Sequence, residues 1–386
     1  MVKTPNNSNK PVIIKAVNRI LHQAIADEAS ALHCDFNRDD GLNIIVIQHG
    51  QAKEVANFSG IQARDMINYL AQLIKWTIGP IYESKTISLT TDLGKINLEA
   101  QGLATKNGTK IILNFKPKGN ELIPLDSLGL NNEHFNLLKP AITFTGLVII
   151  TGPSGAGKTT TAHAILSALN ANRANVYAVE NYNQQTLPLI NQLSRPKGLS
   201  WAMLFRNLEK QDADIIYLDL NGSLPEAHDL YLLSTRRLVI ISLEANSIAE
   251  CLSKLNLGVG ANKINLIINQ ALIRQSCPKC GFSYQLDQPT YDELIKDFGM
   301  LDQDLIGLDL YHNTGCVACH HSGSLGHIGL FEMLIPSPDL KKLLVSGVSS
   351  KAELKIKEEV NLSLLEDGFV KALQGLVTVE ELKKII

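Results

Sequence analysis

The segment VIITGPSGAGKTTT, residues 148–161, carries an apolar run into spaced glycines, a lysine and threonines. Leu147 to Ile150 read as a short buried strand and Thr160 to Leu169 as a helix, so the glycines turn the chain between the two. This is a complete Walker A spacing in the context that the motif demands. Gly152, Gly155 and Gly157, with Pro153, Ser154 and Ala156 between them, let successive backbone N–H groups face one anion. Lys158 reaches toward β- and γ-phosphates, the Thr159 hydroxyl can coordinate Mg²⁺, and Thr160 continues into the helix. The positive end of that helix adds to the anion site.

From Ile142 onward, strand and helix signals alternate as in a parallel α/β sheet, with LVIITG, NVYAVE, DIIYLD and RLVIISLE as strands. Ligands bind at the carboxyl ends of such strands, which makes Glu180, Asp219 and Glu244 candidate catalytic acids beside the phosphate loop. Ile215 to Asp219 repeat the generic pattern of largely apolar residues followed by Asp, which supports Mg²⁺ through a water. The formal net charge is −2 with no long basic block, so no direct nucleic-acid partner is expected. The leader MVKTPNNSNKP lacks the apolar core of a signal peptide, and no apolar run approaches the roughly 18 residues of a membrane span. A cytoplasmic protein is expected, with any membrane association peripheral or through a partner.

Before the loop, Val12 to Ala31 carries apolar residues at helical spacing, GLNIIVIQHG reads as a strand, Ile61 to Trp76 as a helix and Lys85 to Phe115 as strands separated by glycine turns. These predict a small α+β domain over residues 1–118. Residues 119–141 read as a linker and an entry helix beginning at Asn132, and residues 142–276 as the nucleotide-binding core. A metal-binding module over 277–335 and a helical subdomain over 336–386 follow, with Ser350, Asn361 and Thr378 as helix starts.

The metal module rests on CPKC and CVAC, Cys277, Cys280, Cys316 and Cys319, with 35 residues between the pairs. Two CxxC turns place four thiolates at tetrahedral corners around Zn²⁺ and leave no open position, so the site reads as structural. A redox motif needs one pair and leaves the second unexplained. An iron–sulfur cluster has no further support. His320 and His321 read as solvated loop residues, and Cys34 and Cys251 as core.

The order of these landmarks resembles the GspE/PilB family of type II secretion and type IV pilus assembly ATPases, a branch of the RecA-like P-loop superfamily. PVIIKAVNRILHQAIADEASALHCD, GPSGAGKTTT, LFRNLEKQDADII, the tetracysteine segment followed by GSLGHIGLFEML, and SLLEDGFVKALQGLVTVEEL carry the likeness over nearly the whole chain. The resemblance implies a RecA-like core with a smaller N-terminal α+β domain, a zinc insertion and a C-terminal helical subdomain. It also implies a homo- or hetero-hexamer on the cytoplasmic face of the inner membrane, where ATP-driven domain motion passes to a platform protein that inserts pilin or pseudopilin subunits.

Several positions depart from the family pattern. Leu220 stands where the Walker B glutamate is expected and Asp219 where the glycine is, and Glu244 replaces a histidine. The arginines of the N-terminal domain have no clean counterpart, Arg38 and Lys85 being only near in sequence. Glu180 matches the first acid of the family's Asp box and reads either as a water- or magnesium-orienting acid or as a solvated strand end. Arg206 and Arg274 match basic positions, with Lys210 preserving charge at another; Arg206 is the candidate for contact with nucleotide. Two functions therefore stay open. One is an ATP-hydrolysing motor in which Glu180, Asp219 and Glu244 divide the acid roles. The other is a catalytically impaired nucleotide-binding scaffold or regulatory subunit, working beside a catalytic paralogue.

Overall fold

The computed structural model describes residues 10–27, 29–48, 51–76, 81–91, 94–106, 108–115, 122–142, 145–170, 174–180, 186–195, 198–220, 223–289, 291–292 and 307–384. The chain divides into two compact units, Met1–Asn120 and Glu121–Ile386.

The first unit opens with α1 (Lys10–Ala26), whose Val17, Leu21, Ala24 and Ile25 recur at helical spacing and are buried. The apolar spacing runs past the helix: Ala29 is buried too, but in a turn, where its N–H reaches Ala24 O at 2.9 Å. Then come β1 (Ala31–Asn37), β2 (Gly41–Gln48), β3 (Gln51–Ser59), α2 (Gly60–Leu73), β4 (Ile81–Thr91), β5 (Gly94–Thr105) and β6 (Gly108–Phe115). The strands form one antiparallel sheet in the order β3-β2-β1-β6-β5-β4. Leu42, Ile44 and Val46 alternate into a core shared with Leu21, Met66, Leu70, Leu98 and Ile111. Cys34 lies in that core, where burial pushes its thiol up to about 12, as suits an inert side chain. Arg38 is exposed in the turn after β1, and Lys85 lies on β4 with its side chain outside the described residues.

The second unit has α3 (Asn132–Ala141), β7 (Gly146–Gly152), α4 (Lys158–Asn170), β8 (Val176–Glu180), β9 (Asn191–Ser194), α5 (Trp201–Lys210), β10 (Ile215–Asp219), α6 (Ala227–Ser234), β11 (Leu238–Glu244), α7 (Ile248–Leu255) and β12 (Ile264–Ser276). Every residue of β7 is buried, and β8, β10 and β11 are nearly so, which is why they read as apolar runs. The sheet order is β15-β12-β7-β11-β10-β8-β9, parallel throughout except β15 (Ser324–Leu334), which pairs antiparallel with β12. One face packs on Trp201, Leu204, Leu230 and Ile248, and the other on Leu138, Ala162, Ile165 and Leu166. A P-loop sheet covered by helices on both faces is the RecA-like core that the sequence predicts.

Beyond β12, β13 (Gly281–Gln285) and β14 (Asp309–Asn313) form a small antiparallel ribbon. The end of the chain is helical: α8 (Pro338–Val345), α9 (Ser350–Glu359), α10 (Leu364–Leu373) and α11 (Val379–Leu382). The capping hydroxyls are Ser337, Ser349 and Ser363. Ser350 is thus the first helical residue and not the cap, and Asn361 instead donates Nδ2 to Glu133 Oε2 at 3.0 Å. Ser363 wins because Glu366 completes its capping box.

In α10, Asp367 and Lys371 form a fully buried ion pair, and Asp367 Oδ2 also accepts the Phe331 N–H of β15 at 2.9 Å. Burial lowers the Lys371 pKa, and the Asp367 carboxylate opposes that shift. Lys371→Ala leaves a buried carboxylate without its cation, and the expected loss is roughly 3 kcal/mol in urea unfolding. An unchanged urea midpoint would show that the pair contributes nothing.

Candidate nucleotide and metal sites

The phosphate loop leaves β7 with its backbone already committed. Gly152 has φ 149°, and a Cβ there would lie 2.2 Å from the Gln270 carbonyl of β12, so only glycine fits. Gly155 and Gly157 adopt φ 78° and 84°, the left-handed region that lets N–H groups turn inward. Pro153, Ser154 and Gly155 are exposed at the loop's tip, while Ala156 is buried. Gln270 Nε2 donates to Ala156 O at 2.6 Å and fixes the loop from beneath.

Lys158 is only 7% exposed and bends back to donate to Gly152 O at 2.9 Å and Pro153 O at 2.7 Å. Burial lowers its pKa, and the charges of Glu244 and Asp219 oppose that shift. The lysine therefore lies within electrostatic reach of both acids.

Glu244 ends β11 in register with Gly152 and is exposed. Asp219 ends β10 and accepts from Ser242 Oγ at 3.3 Å. Ser242 Oγ in turn shares a 2.9 Å hydrogen bond with Tyr217 Oη. The Thr159 hydroxyl and the Asp219 carboxylate are hard oxygen donors that fit Mg²⁺.

Glu180 is 2% exposed, so it is not a solvated strand end. Its Oε1 lies 2.5 Å from His163 Nε2 on α4, and its Oε2 accepts from Gln192 Nε2 at 3.1 Å. Leu220, at the expected glutamate position, is 1% exposed and belongs to the core with Trp201 and Leu230. Asn221 and Gly222, like residues 181–185 after Glu180, lie outside the described residues. Arg206 and Lys210 are exposed on α5. Arg274 lines a separate cavity of about 150 Å³ with Ser276, His312 and Glu380.

Sequence reasoning missed His163, Gln192, Ser242 and Gln270. The available signal was a polar residue inside an otherwise apolar buried segment, as in LVIISLE and INLIINQALI.

The four cysteines form a second site. Their sulfurs all lie within 4.8 Å of one another, with Cys277–Cys316 at 3.9 Å, Cys280–Cys319 at 3.8 Å and Cys316–Cys319 at 3.8 Å. Sulfurs about 2.3 Å from a tetrahedral metal are separated by roughly 3.8 Å, so the cluster fits one such ion. Burial would raise the Cys319 thiol, but the backbone N–H groups of Cys316 and Gly323 and the neighbouring thiols outweigh it and hold the group at about 6. That favours the thiolate, the form that binds metal. His320 and His321 are exposed, with φ 50° and 61°, in the turn that closes the second pair.

The likeness to known proteins runs over nearly the whole chain. The family described as Type II/IV secretion system protein matches residues 6–384. The chain is 27% identical over 388 residues to the type IV pilus assembly ATPase PilB of Acinetobacter baylyi, covering 97% of this chain and 66% of that protein. It is 26% identical over 384 residues to the type II secretion system ATPase E of Vibrio cholerae, covering 97% and 75%. The chain spans 44% of PilB from Thermus thermophilus, at 28% identity. Among solved structures, the Legionella pneumophila ATPase DotB superposes with a TM-score of 0.65 at 16% identity, over 96% of this chain and 95% of that one. The pilus retraction motor PilT with bound ADP gives 0.60 at 16% identity, over 96% of each. These two establish a common fold. With the match running from residue 6 to residue 384, the chain belongs to the type II/IV secretion system protein family.

Proposed function

We propose that this protein binds ATP with Mg²⁺ and hydrolyses it to ADP and phosphate, as the motor of a type II secretion or type IV pilus assembly system. The observation that carries the proposal is the assembled phosphate loop, with Lys158 buried among the loop carbonyls and under the influence of Asp219 and Glu244. Incoming phosphate oxygens would replace the Gly152 and Pro153 carbonyls as acceptors for Lys158. The backbone N–H groups from Gly155 to Thr159 would face the β-phosphate. Thr159 and Asp219 would hold Mg²⁺, which neutralises phosphate charge when bound. Glu180, gripped by His163 and Gln192, is the acid assigned to orient the attacking water, with Glu244 beside Gly152 and Arg206 on α5 as further candidates. The notable loss is at Leu220, whose side chain lies in the core and cannot polarise water.

The relatives are named as a pilus assembly ATPase and a secretion system ATPase; with them goes the proposed assembly, a hexamer of one chain type or two working through an inner-membrane platform protein, which the resemblance read from the sequence implies. In that setting nucleotide-driven domain motion would couple to insertion of pilin or pseudopilin subunits. No helix among the described residues is long and apolar enough to cross a membrane; the proposed placement, cytoplasmic and peripheral, follows from the proposed role. The buried Leu220 favours a second reading, a nucleotide-binding regulatory subunit that completes its chemistry beside a catalytic paralogue.

Time-resolved ATP binding and phosphate release by the purified chain separate the two readings, with Lys158→Ala as the contamination control. The motor reading expects turnover that Lys158→Ala abolishes. Tight binding with no release above that control supports the regulatory subunit instead.

The tetracysteine cluster is proposed to hold one structural Zn²⁺. Elemental analysis of the purified chain should give about one zinc per chain, and Cys316→Ser should lower both that ratio and the melting temperature. A folded chain with reduced cysteines that takes up no zinc on titration would exclude the assignment.

A further inference from the structure

Gly157 can face either way, and an anion-binding loop needs it to face one. Its φ is 84°, yet a glycine takes up negative φ about as readily. The glycine therefore permits the loop's shape without enforcing it. What decides the matter is the peptide that joins Ala156 to Gly157. In a trans peptide the carbonyl and the N–H point in opposite directions, so whatever fixes Ala156 O also aims the Gly157 N–H.

Ala156 O accepts a 2.6 Å hydrogen bond from Nε2 of Gln270, a residue only 2% exposed on β12 beneath the loop. The amide fits only this way round, since its oxygen would meet a second acceptor. That orientation leaves Gln270 Oε1 buried with no partner among the described residues. A side chain needed only to fill the space would be apolar, as Ile267 and Ile268 on the same strand are. Glycine at 157 also leaves room for the amide, because a Cβ there would stand 3.3 Å from Gln270 Nε2. On the opposite side of the peptide, the Gly157 N–H makes no hydrogen bond among the described residues, whereas the Ala156 N–H is spent within the loop on Pro153 O at 3.2 Å.

We propose that Gln270 is a positioning residue that locks the Ala156–Gly157 peptide with its N–H turned toward the β-phosphate of a bound nucleotide. This rests on the nucleotide-binding reading given above. An arriving phosphate then meets a donor already aimed at it, and no backbone rotation has to be stopped on binding. Without the amide the peptide is free to turn over, which brings the Ala156 carbonyl to the side where the phosphate charge would sit and be repelled.

The sequence holds one Ala-Gly pair, Ala156–Gly157, so alanine labelled at its carbonyl carbon together with glycine labelled at nitrogen marks this single peptide for NMR. Wild type should give one sharp amide peak that moves downfield when ADP is added. In Gln270→Met, which keeps the length and removes the donor, the peak should broaden or double before ADP is added. ADP affinity should fall about tenfold in that variant, the order of one hydrogen bond to a charged group. Gln270→Asn keeps the amide but draws it out of reach and should reproduce both effects, which covers the case where the apolar replacement folds poorly. A single sharp peak in both variants would overturn the lock, and an accompanying loss of ADP affinity would then mean that Gln270 only supports the fold. A doubled peak with wild-type ADP affinity would overturn it too, because the peptide's direction would not matter to the phosphate. If wild type binds no ADP, or Lys158→Ala binds it as well as wild type does, the nucleotide reading itself fails and this proposal falls with it.

Discussion

The end of β7 meets β12 at a contact that admits no side chain, and the loop depends on that closeness. With the Gln270 carbonyl 2.2 Å from where a Gly152 Cβ would stand, β7 can turn into the loop only as glycine. The same approach brings the Gln270 side chain under Ala156, so one residue of β12 excludes a side chain with its carbonyl and holds the loop with its amide. On the other flank, Ala245 N–H donates to Gly152 O at 3.3 Å and Glu244 falls into register beside it. The loop's shape is therefore a property of three adjacent strands, and the GxxxxGKT segment alone supplies only part of it.

Beneath that loop the core is unusually polar for its depth. His163, Glu180, Tyr217 and Ser242 are all nearly or fully buried, and each finds a hydrogen-bond partner. Burying an unpaired carboxylate or hydroxyl costs far more than a paired one. The paired arrangement keeps the acids at fixed positions, while Leu220 fills the adjoining space with apolar volume. In the proposed reading the acid roles are shared among several strand ends, because Leu220, at the position expected to supply the acid, packs the core here.

The sheet was legible because β7, β8, β10 and β11 are buried on both faces, and their composition shows it directly. β3 was not: QAKEVANFS is a mostly exposed edge strand, held by backbone pairing to β2, and its side chains carry no alternation. β9, only four residues long, is equally silent. At the site, Lys158, Thr159 and the cysteines could be found from spacing, since their geometry is local. His163 and Gln270 could not, because each acts on a residue brought near only by the folded sheet. The partner of Glu180 comes from a helix 17 positions earlier in the chain.

β12 ties the two sites into one framework. Gln270 holds the phosphate loop, and the strand continues to Ser276, immediately before Cys277 of the tetracysteine cluster. At about 3.3 Å per residue, seven residues of strand carry the chain roughly 23 Å between them. Over that span β12 is paired with β15, and β15 is held from the far side by Asp367 through the Phe331 N–H. Displacing the tetracysteine segment without moving the loop would therefore require breaking strand pairing or bending β12. The tetracysteine site lies away from the phosphate loop, yet the strand that shapes the loop ends beside it.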